Sequence, residues 1–214
     1  MKSTKPAGRN RYCCGRARPG AGRRAWVGAW PVLLLLLLLQ ACAGTDIASR
    51  TYVRKDVDLA YVTRVAVLPF ANNTKDDFAA QRIRDITATQ LLAMGIFDVV
   101  DRGVVDSALR EMAIDKDTPL DVPVVKRLGK RLGVQAFVLG TVNSIGENRR
   151  GSFTYPEVSL TLELLDSDSA QVLWRCSETL SGYSLADRLF GLAPLDAFQI
   201  TVDLLQRMLA TIPK

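Results

Sequence analysis

The chain has 214 residues, with 28 Lys+Arg against 22 Asp+Glu, four Cys and no His. Without His there is no His-based catalytic triad and no His-containing zinc site, and a chain 48% hydrophobic and 23% charged is globular in composition rather than disordered. The net charge of +6 resides in residues 1–41, which carry eight basic side chains and no acidic one, leaving 20 basic against 22 acidic in the remainder. That distribution excludes a nucleic-acid surface.

After Arg23-Arg24 an apolar stretch runs from Ala25 to Leu39, 15 residues interrupted by Gly28 and Pro31. At ~1.5 Å per residue it covers about 23 Å, short of the ~30 Å hydrocarbon core of a bilayer. A basic segment, a short apolar segment and a small residue before a cut are the parts of a secretory signal peptide. The cut region reads Leu39-Gln40-Ala41-Cys42 and resembles the bacterial lipobox. That resemblance implies cleavage after Ala41 and acylation of Cys42, which anchors the mature chain in a membrane; several acyl chains on one residue hold far more firmly than one. Ala43, not Asp, follows Cys42, and the sorting rule that comes with the resemblance then implies the outer membrane, facing the periplasm. The alternatives are an ordinary signal peptide with a coincidental Cys, a retained transmembrane anchor, and a twin-arginine signal at Arg23-Arg24 in place of a plain basic segment. With Cys13 and Cys14 lost in the leader and Cys42 acylated, Cys176 stands alone and no intramolecular disulfide forms. It reads as a small buried hydrophobe on a strand face shared with Trp174.

Residues 43–62 are polar and aperiodic and read as a tether of roughly 20 residues, with Tyr52 and Val53 as a potential short extra strand. Arg64–Phe70 is a buried strand stopped by Pro69 and a turn at Asn72-Asn73-Thr74. A helix is predicted over Asp77–Met94 with Gly95 past its end, then a strand over Ile96–Val100. Val105, Leu109 and Met112 mark an amphipathic helix over Gly103–Ala113. Asp121 is a candidate N-cap for a helix carrying Pro123 in its first turn, Val124, Leu128 and Leu132 on one side, and Gly133 at its end. Val134–Val142 is a central strand, followed by a charged stretch, Gly146–Gly151, read as a loop that contains Arg149 and Arg150. Val158, Leu160, Leu162 and Leu164 alternate with polar residues in a strand with one wet face. Asp166–Ser169 turns it into a hairpin partner over Gln171–Leu180. A last helix, Leu195–Thr211, places Phe198, Val202, Leu205 and Leu209 on one stripe. The expected fold is α/β, a single mixed-sheet domain in the order β-α-β-α-α-β-β-β-α, divided as leader 1–41, lipidated Cys and tether 42–62, and domain 63–214.

Three stretches, Arg64-Val-Ala-Val-Leu-Pro-Phe-Ala-Asn-Asn-Thr74, Asp98-Val-Val-Asp-Arg102 and Leu132-Gly-Val-Gln-Ala136, with Gly140-Thr-Val142 after them, resemble envelope lipoproteins. These are the relatives of the curli-secretion channel (CsgG) and of the lipoprotein activators of penicillin-binding proteins (LpoB), with a domain similar to the amino-terminal domain of TolB. The resemblance spans about residues 60–210. It implies a lipid-anchored module that binds other envelope proteins, not an enzyme. The chain departs from the channel in lacking an insert long and apolar enough to cross a membrane twice, and from the activators in the shortness of its tether. A non-catalytic binding or assembly factor is therefore the first reading, a channel subunit the alternative, and a penicillin-binding-protein activator or a hydrolase less favoured.

The chemistry of the side chains agrees. Leu128-Gly-Lys-Arg-Leu-Gly133 is a basic helix end rather than a phosphate loop. The pairs Asp76/Asp77 and Asp166/Asp168 sit where caps and turns use Asp. No Ser stands in a nucleophile elbow, and no cofactor or metal is expected. Candidate partner contacts are the loop Asn72, Asn73, Thr74 and Lys75, which follows a central strand where α/β folds bind ligands, and the apolar side chains Leu185, Leu189 and Phe190.

Overall fold

The computed structural model describes residues 48–115, 118, 120–150, 153–182 and 195–213. Strand β1 (Ala48–Val53) leads through a 3₁₀ turn (Leu59–Tyr61) to β2 (Arg64–Val67) and the two-residue β3 (Ala71–Asn72). There follow α1 (Ala79–Ala93), β4 (Asp98–Val99), α2 (Arg102–Glu111) and α3 (Val122–Leu132). The chain closes with β5 (Ala136–Arg150), β6 (Phe153–Asp166), β7 (Val172–Ser181) and α4 (Ala197–Leu209). All strands form one mixed sheet in the order β1-β7-β6-β5-β2-β4, with β3 also on β5. The β2–β4, β2–β5 and β3–β5 pairs are parallel, and the rest are antiparallel. The single mixed α/β domain expected from the sequence is the one found, with β1 and β3 added to the expected order.

Hydrophobic patterning decides which helix goes where. In β2, Val65 and Val67 belong to one core and Ala66 and Leu68 to another, because a central parallel strand is buried on both faces. The larger core lies beneath α1 and α4, where Val138, Leu160, Leu162 and Trp174 meet Ile83, Leu91, Leu204 and Leu205. The smaller core lies beneath α2 and α3, where Ala66 and Phe137 meet Val105, Leu109 and Leu128. Each Val, Leu, Ile or Phe among them that is removed from water contributes about 1.5–3 kcal/mol. On β5, Gly140 lets the ring of Phe70 lie on the strand: a Cβ there would stand 2.5 Å from a ring carbon.

The second face of the antiparallel half is polar. Thr161 shares a hydrogen bond with Ser177 at 2.9 Å and accepts one from the Asn143 amide at 3.0 Å, and Thr179 donates to Ser159 at 2.8 Å. Cross-strand Arg175 and Glu163 form an ion pair at 2.8 Å.

Helix ends follow local chemistry. Asp121 caps α3 by accepting from Val124 N–H at 3.1 Å, and Gly133 ends it in the left-handed conformation with φ 64°, as the sequence predicts. Asp101 caps α2, accepting from Gly103 N–H at 2.8 Å.

Four expectations are corrected. Residues 146–150 are not a loop: the register runs from Ile145↔Val158 to Arg150↔Phe153 after a bulge at Asn143, because β6 begins as early as Phe153 and gives these residues a partner. Arg149 and Arg150 therefore lie in a strand. Residues 48–53 are not tether but an edge strand, held by Thr51↔Cys176 and its neighbours. Val125, 1% exposed, replaces Val124 on the buried side of α3. In α4 the buried side is Ile200, Leu204, Leu205, Met208 and Leu209, so Leu205 and Leu209 lie as expected while Val202 is half-buried and Phe198 is 64% exposed.

Beyond Pro156, whose carbonyl accepts from Gly182 N–H at 2.8 Å, β6 has β5 as its only strand neighbour among the described residues. From Ser144 outward β5 likewise has only β6. The two strands project as a ribbon from one end of the sheet.

Candidate functional site

The loop after β2 is built by its own side chains. Asn72 Nδ2 donates to Asp76 O at 2.8 Å, while Asn72 Oδ1 accepts from Thr74 N–H at 3.0 Å and from the Thr74 hydroxyl at 2.8 Å. Asp76 Oδ1 accepts from Phe78 N–H at 3.0 Å, and its other oxygen pairs with Arg82. The Arg82 hydrogen bond, then the Phe78 amide, holds the Asp76 carboxyl below its ordinary value. Asn72 and Thr74 are thus spent on the loop, whereas the exposed side chains of Asn73 and Lys75 make no hydrogen bond or ion pair among the described residues. Phe78, next in line, is 68% exposed.

Beneath the same strand end lies an ion network absent from the sequence reading. Arg84, 5% exposed, donates to Val67 O from Nε at 3.0 Å and from a terminal nitrogen at 2.8 Å, and pairs with Asp106 at 2.8 Å. Arg102 extends the network to Asp106 at 3.4 Å and Asp85 at 2.8 Å. One signal could have found it: Arg84 falls on the helical stripe Ala80, Ile83, Thr87, Leu91, all buried.

Two further titratable groups are shifted. Glu178, 5% exposed on the α4 side of β7, has no hydrogen bond or ion pair among the described residues, and burial pushes its carboxyl up against the pull of Arg207. Cys176 beside it is buried and reduced, as expected, its thiol pushed up by burial and 3.4 Å from Thr51 Oγ1.

At the opposite end of the sheet an open cleft of about 400 Å³ is lined by Tyr61, Lys126, Lys130, Gln135, Asp166 and Asp168. Tyr61 donates to Asp166 at 2.7 Å, and Asp166 also accepts from Ser169 N–H at 2.8 Å and its hydroxyl at 2.5 Å. Burial and this bond raise the Tyr61 phenol far above its ordinary value. For Asp166 burial pulls upward, but the hydrogen bonds from Ser169, Tyr61 and Asp168 together hold the carboxyl low. The pair Asp166/Asp168 builds a turn, as read from the sequence; Asp168 is ion-paired to Lys126 at 3.3 Å. Among the described residues no group of three or more Cys, Asp or Glu could hold a metal, and no described helix is long and apolar enough to cross a membrane. Leu39, Gln40, Ala41 and Cys42, and the contacts Leu185, Leu189 and Phe190, lie outside the described residues.

The fold and its surfaces define a lone α/β domain whose clefts and loops are held by structural hydrogen bonds. Residues 44–179, more than half of the chain, match the profile of the peptidoglycan-synthase activator LpoB, and the chain belongs to that family. Among solved structures, a PelC dodecamer from Paraburkholderia phytofirmans superposes with a TM-score of 0.52 at 21% identity, over 77% of this chain and 96% of that one. Lipoprotein GNA1162 from Neisseria meningitidis gives 0.46 at 20% identity, over 60% and 90% of the two chains. The LpoB C-terminal domain from Salmonella enterica gives 0.42 at 13% identity, over 69% and 93%. The PelC likeness speaks to the fold. No curated protein matches the chain.

Proposed function

We propose that this protein is a lipid-anchored, periplasm-facing module of the bacterial outer membrane that works by binding another envelope protein, without catalysis. The observation that carries the reading is the family match over residues 44–179, and it makes a peptidoglycan synthase the first partner to test. The lipobox at Leu39–Cys42 supports the anchor, and the loop with exposed Asn73 and Lys75 supplies a preformed contact surface. Activation of a synthase across the periplasm would need reach, and β1 begins only six residues after Cys42. A partner that itself comes up to the outer membrane fits that geometry.

A channel-type ring is the second reading, favoured by the dodecamer in which the PelC fold is found. Native mass measurement of the acylated protein after mild detergent extraction separates the two. A monomer, or a complex with a synthase or other envelope protein, supports the binding module; a discrete homo-oligomeric ring overturns it in favour of the channel. Failure of labelled palmitate to appear on the chain, or its persistence on Cys42→Ser, would remove the anchor at Cys42.

A further inference from the structure

Glu178 sits on the seam between β7 and β1. It lies across from Leu160 of β6 on one side and from Ser49 of β1 on the other. Its carboxyl is 5% exposed and has no hydrogen bond or ion pair among the described residues. Most of what faces it is uncharged. β6 presents Leu160 and Leu162, β7 itself the Cys176 thiol and Leu180, and β1 Thr51, whose hydroxyl lies 3.4 Å from that thiol. By the alternation of the strand, Arg50 and Tyr52 take the other face, across from Ser177 and Arg175. From α4, Arg207 pulls on the carboxyl without forming an ion pair, and Asp203 stands one turn earlier on the same side of the helix.

A carboxylate in that place has no donor, so either it stays protonated or one of its covers moves. The two covers are held unequally. α4 is fixed by Ile200, Leu204, Leu205, Met208 and Leu209, none more than 1% exposed. β1 has no such hold among its described side chains: Arg50, Thr51 and Tyr52 are exposed and Val53 is half-buried. It is also the last strand of the sheet among the described residues. Past its end, Arg54 N–H continues the pairing by one bond, to Leu173 O at 2.9 Å. A segment with few buried apolar contacts opens at the low end of the range of local stabilities.

We propose that β1 is a releasable strap, which docks on β7 over an uncharged Glu178 and undocks when that carboxyl ionises. The linkage has one sign. Burial raises the Glu178 carboxyl, so docking is fully supported below the unfolded value of about 4.3 and loses that support as pH rises through the folded value. Undocking lets water reach the carboxylate from the vacated flank of β7. It also lengthens the chain that precedes the domain. Six links from Cys42 to Ala48 reach at most ~20 Å, whereas fifteen links from Cys42 to Val57, the next side chain packed on the larger core, reach ~50 Å. The gain in reach rests on the lipoprotein reading above; the undocking itself does not.

The test is hydrogen–deuterium exchange of the acylated full mature chain in phosphatidylglycerol–phosphatidylcholine nanodiscs from about pH 5 to 8, each amide rate divided by its intrinsic rate. Above the folded value of Glu178, protection of the β1 amides should fall ~tenfold per pH unit, the slope of one linked proton. Glu178→Gln should hold that protection constant, with circular dichroism confirming that the variant is folded. The β1 amides should also open with little urea dependence and those of α4 and β6 with a large one, since a strap exposes little surface and the core exposes much. Flat β1 protection in the wild type, or a slope that survives in Glu178→Gln, overturns the proposal. So does α4 opening together with β1 at one urea dependence, which assigns the pH effect to the whole domain. A wild-type chain that leaves the nanodiscs as readily as Cys42→Ser overturns the lipoprotein reading and the gain in reach with it, while the pH slope of β1 still decides the strap.

Discussion

Arg84 shows how a single charged side chain can be structural rather than functional. Its guanidinium closes on Val67 O and Asp106, joining α1, β2 and α2 at one point. Arg84→Ala should leave a carbonyl and a carboxylate without their donor and cost ~3–5 kcal/mol, read as a lowered urea midpoint. Glu178 is the opposite case, a buried carboxylate whose value is raised by burial. A raised carboxyl stabilises the fold below its unfolded value of about 4.3 and loses that contribution as pH rises through the folded value. Glu178→Gln should therefore raise the melting temperature at pH 7 by ~2–4 °C, the shift that ~1 kcal/mol gives a domain of this size, with no gain below about pH 4. Calorimetry across pH 3–8 reads both. Asp166 runs the other way. Its lowered carboxyl stabilises above the unfolded value and loses that as pH falls through the folded one, so Asp166→Asn should be most costly near neutrality.

At the scale of elements, patterns that depend on neighbours in sequence were legible and those that depend on distant partners were not. Asp121, Pro123 and Gly133 punctuate α3 where the chain predicts, since caps and left-handed ends are decided within a few residues. Asp121→Ala should cost ~1 kcal/mol by the same reasoning. The β5–β6 ribbon was missed because Gly146-Glu-Asn-Arg-Arg has no apolar alternation, and its strand character comes from pairing with Phe153–Glu157. Edge strand β1 was seen only at Tyr52 and Val53, because six mixed residues become a strand when β7 offers them its edge. Among candidate contacts, the Asn72–Thr74 turn was legible from turn chemistry, while exposed Phe198 was read as part of an apolar stripe and exposed Phe78 was not singled out. Gly140 belongs here too. Gly140→Ala would drive a methyl into the Phe70 ring and should cost ~1–3 kcal/mol in equilibrium unfolding.

For the whole molecule, the sheet joins two halves of different character: a meander, β5–β6–β7, continuous in sequence, and a parallel half that brings Val65 beside Ala136. The two differ in what the chain must surrender to make them. Closing roughly 70 residues for the β2–β5 pair costs about 2 kcal/mol more loop entropy than closing the tight turn between β6 and β7. The meander should therefore supply the folding nucleus, with β2 docking after the rate-limiting barrier. In stopped-flow measurements Leu162→Ala should slow refolding, whereas Val65→Ala should chiefly speed unfolding. A domain built this way commits to its fold from its carboxyl-terminal half, with the strand at its parallel centre, β2, joining late.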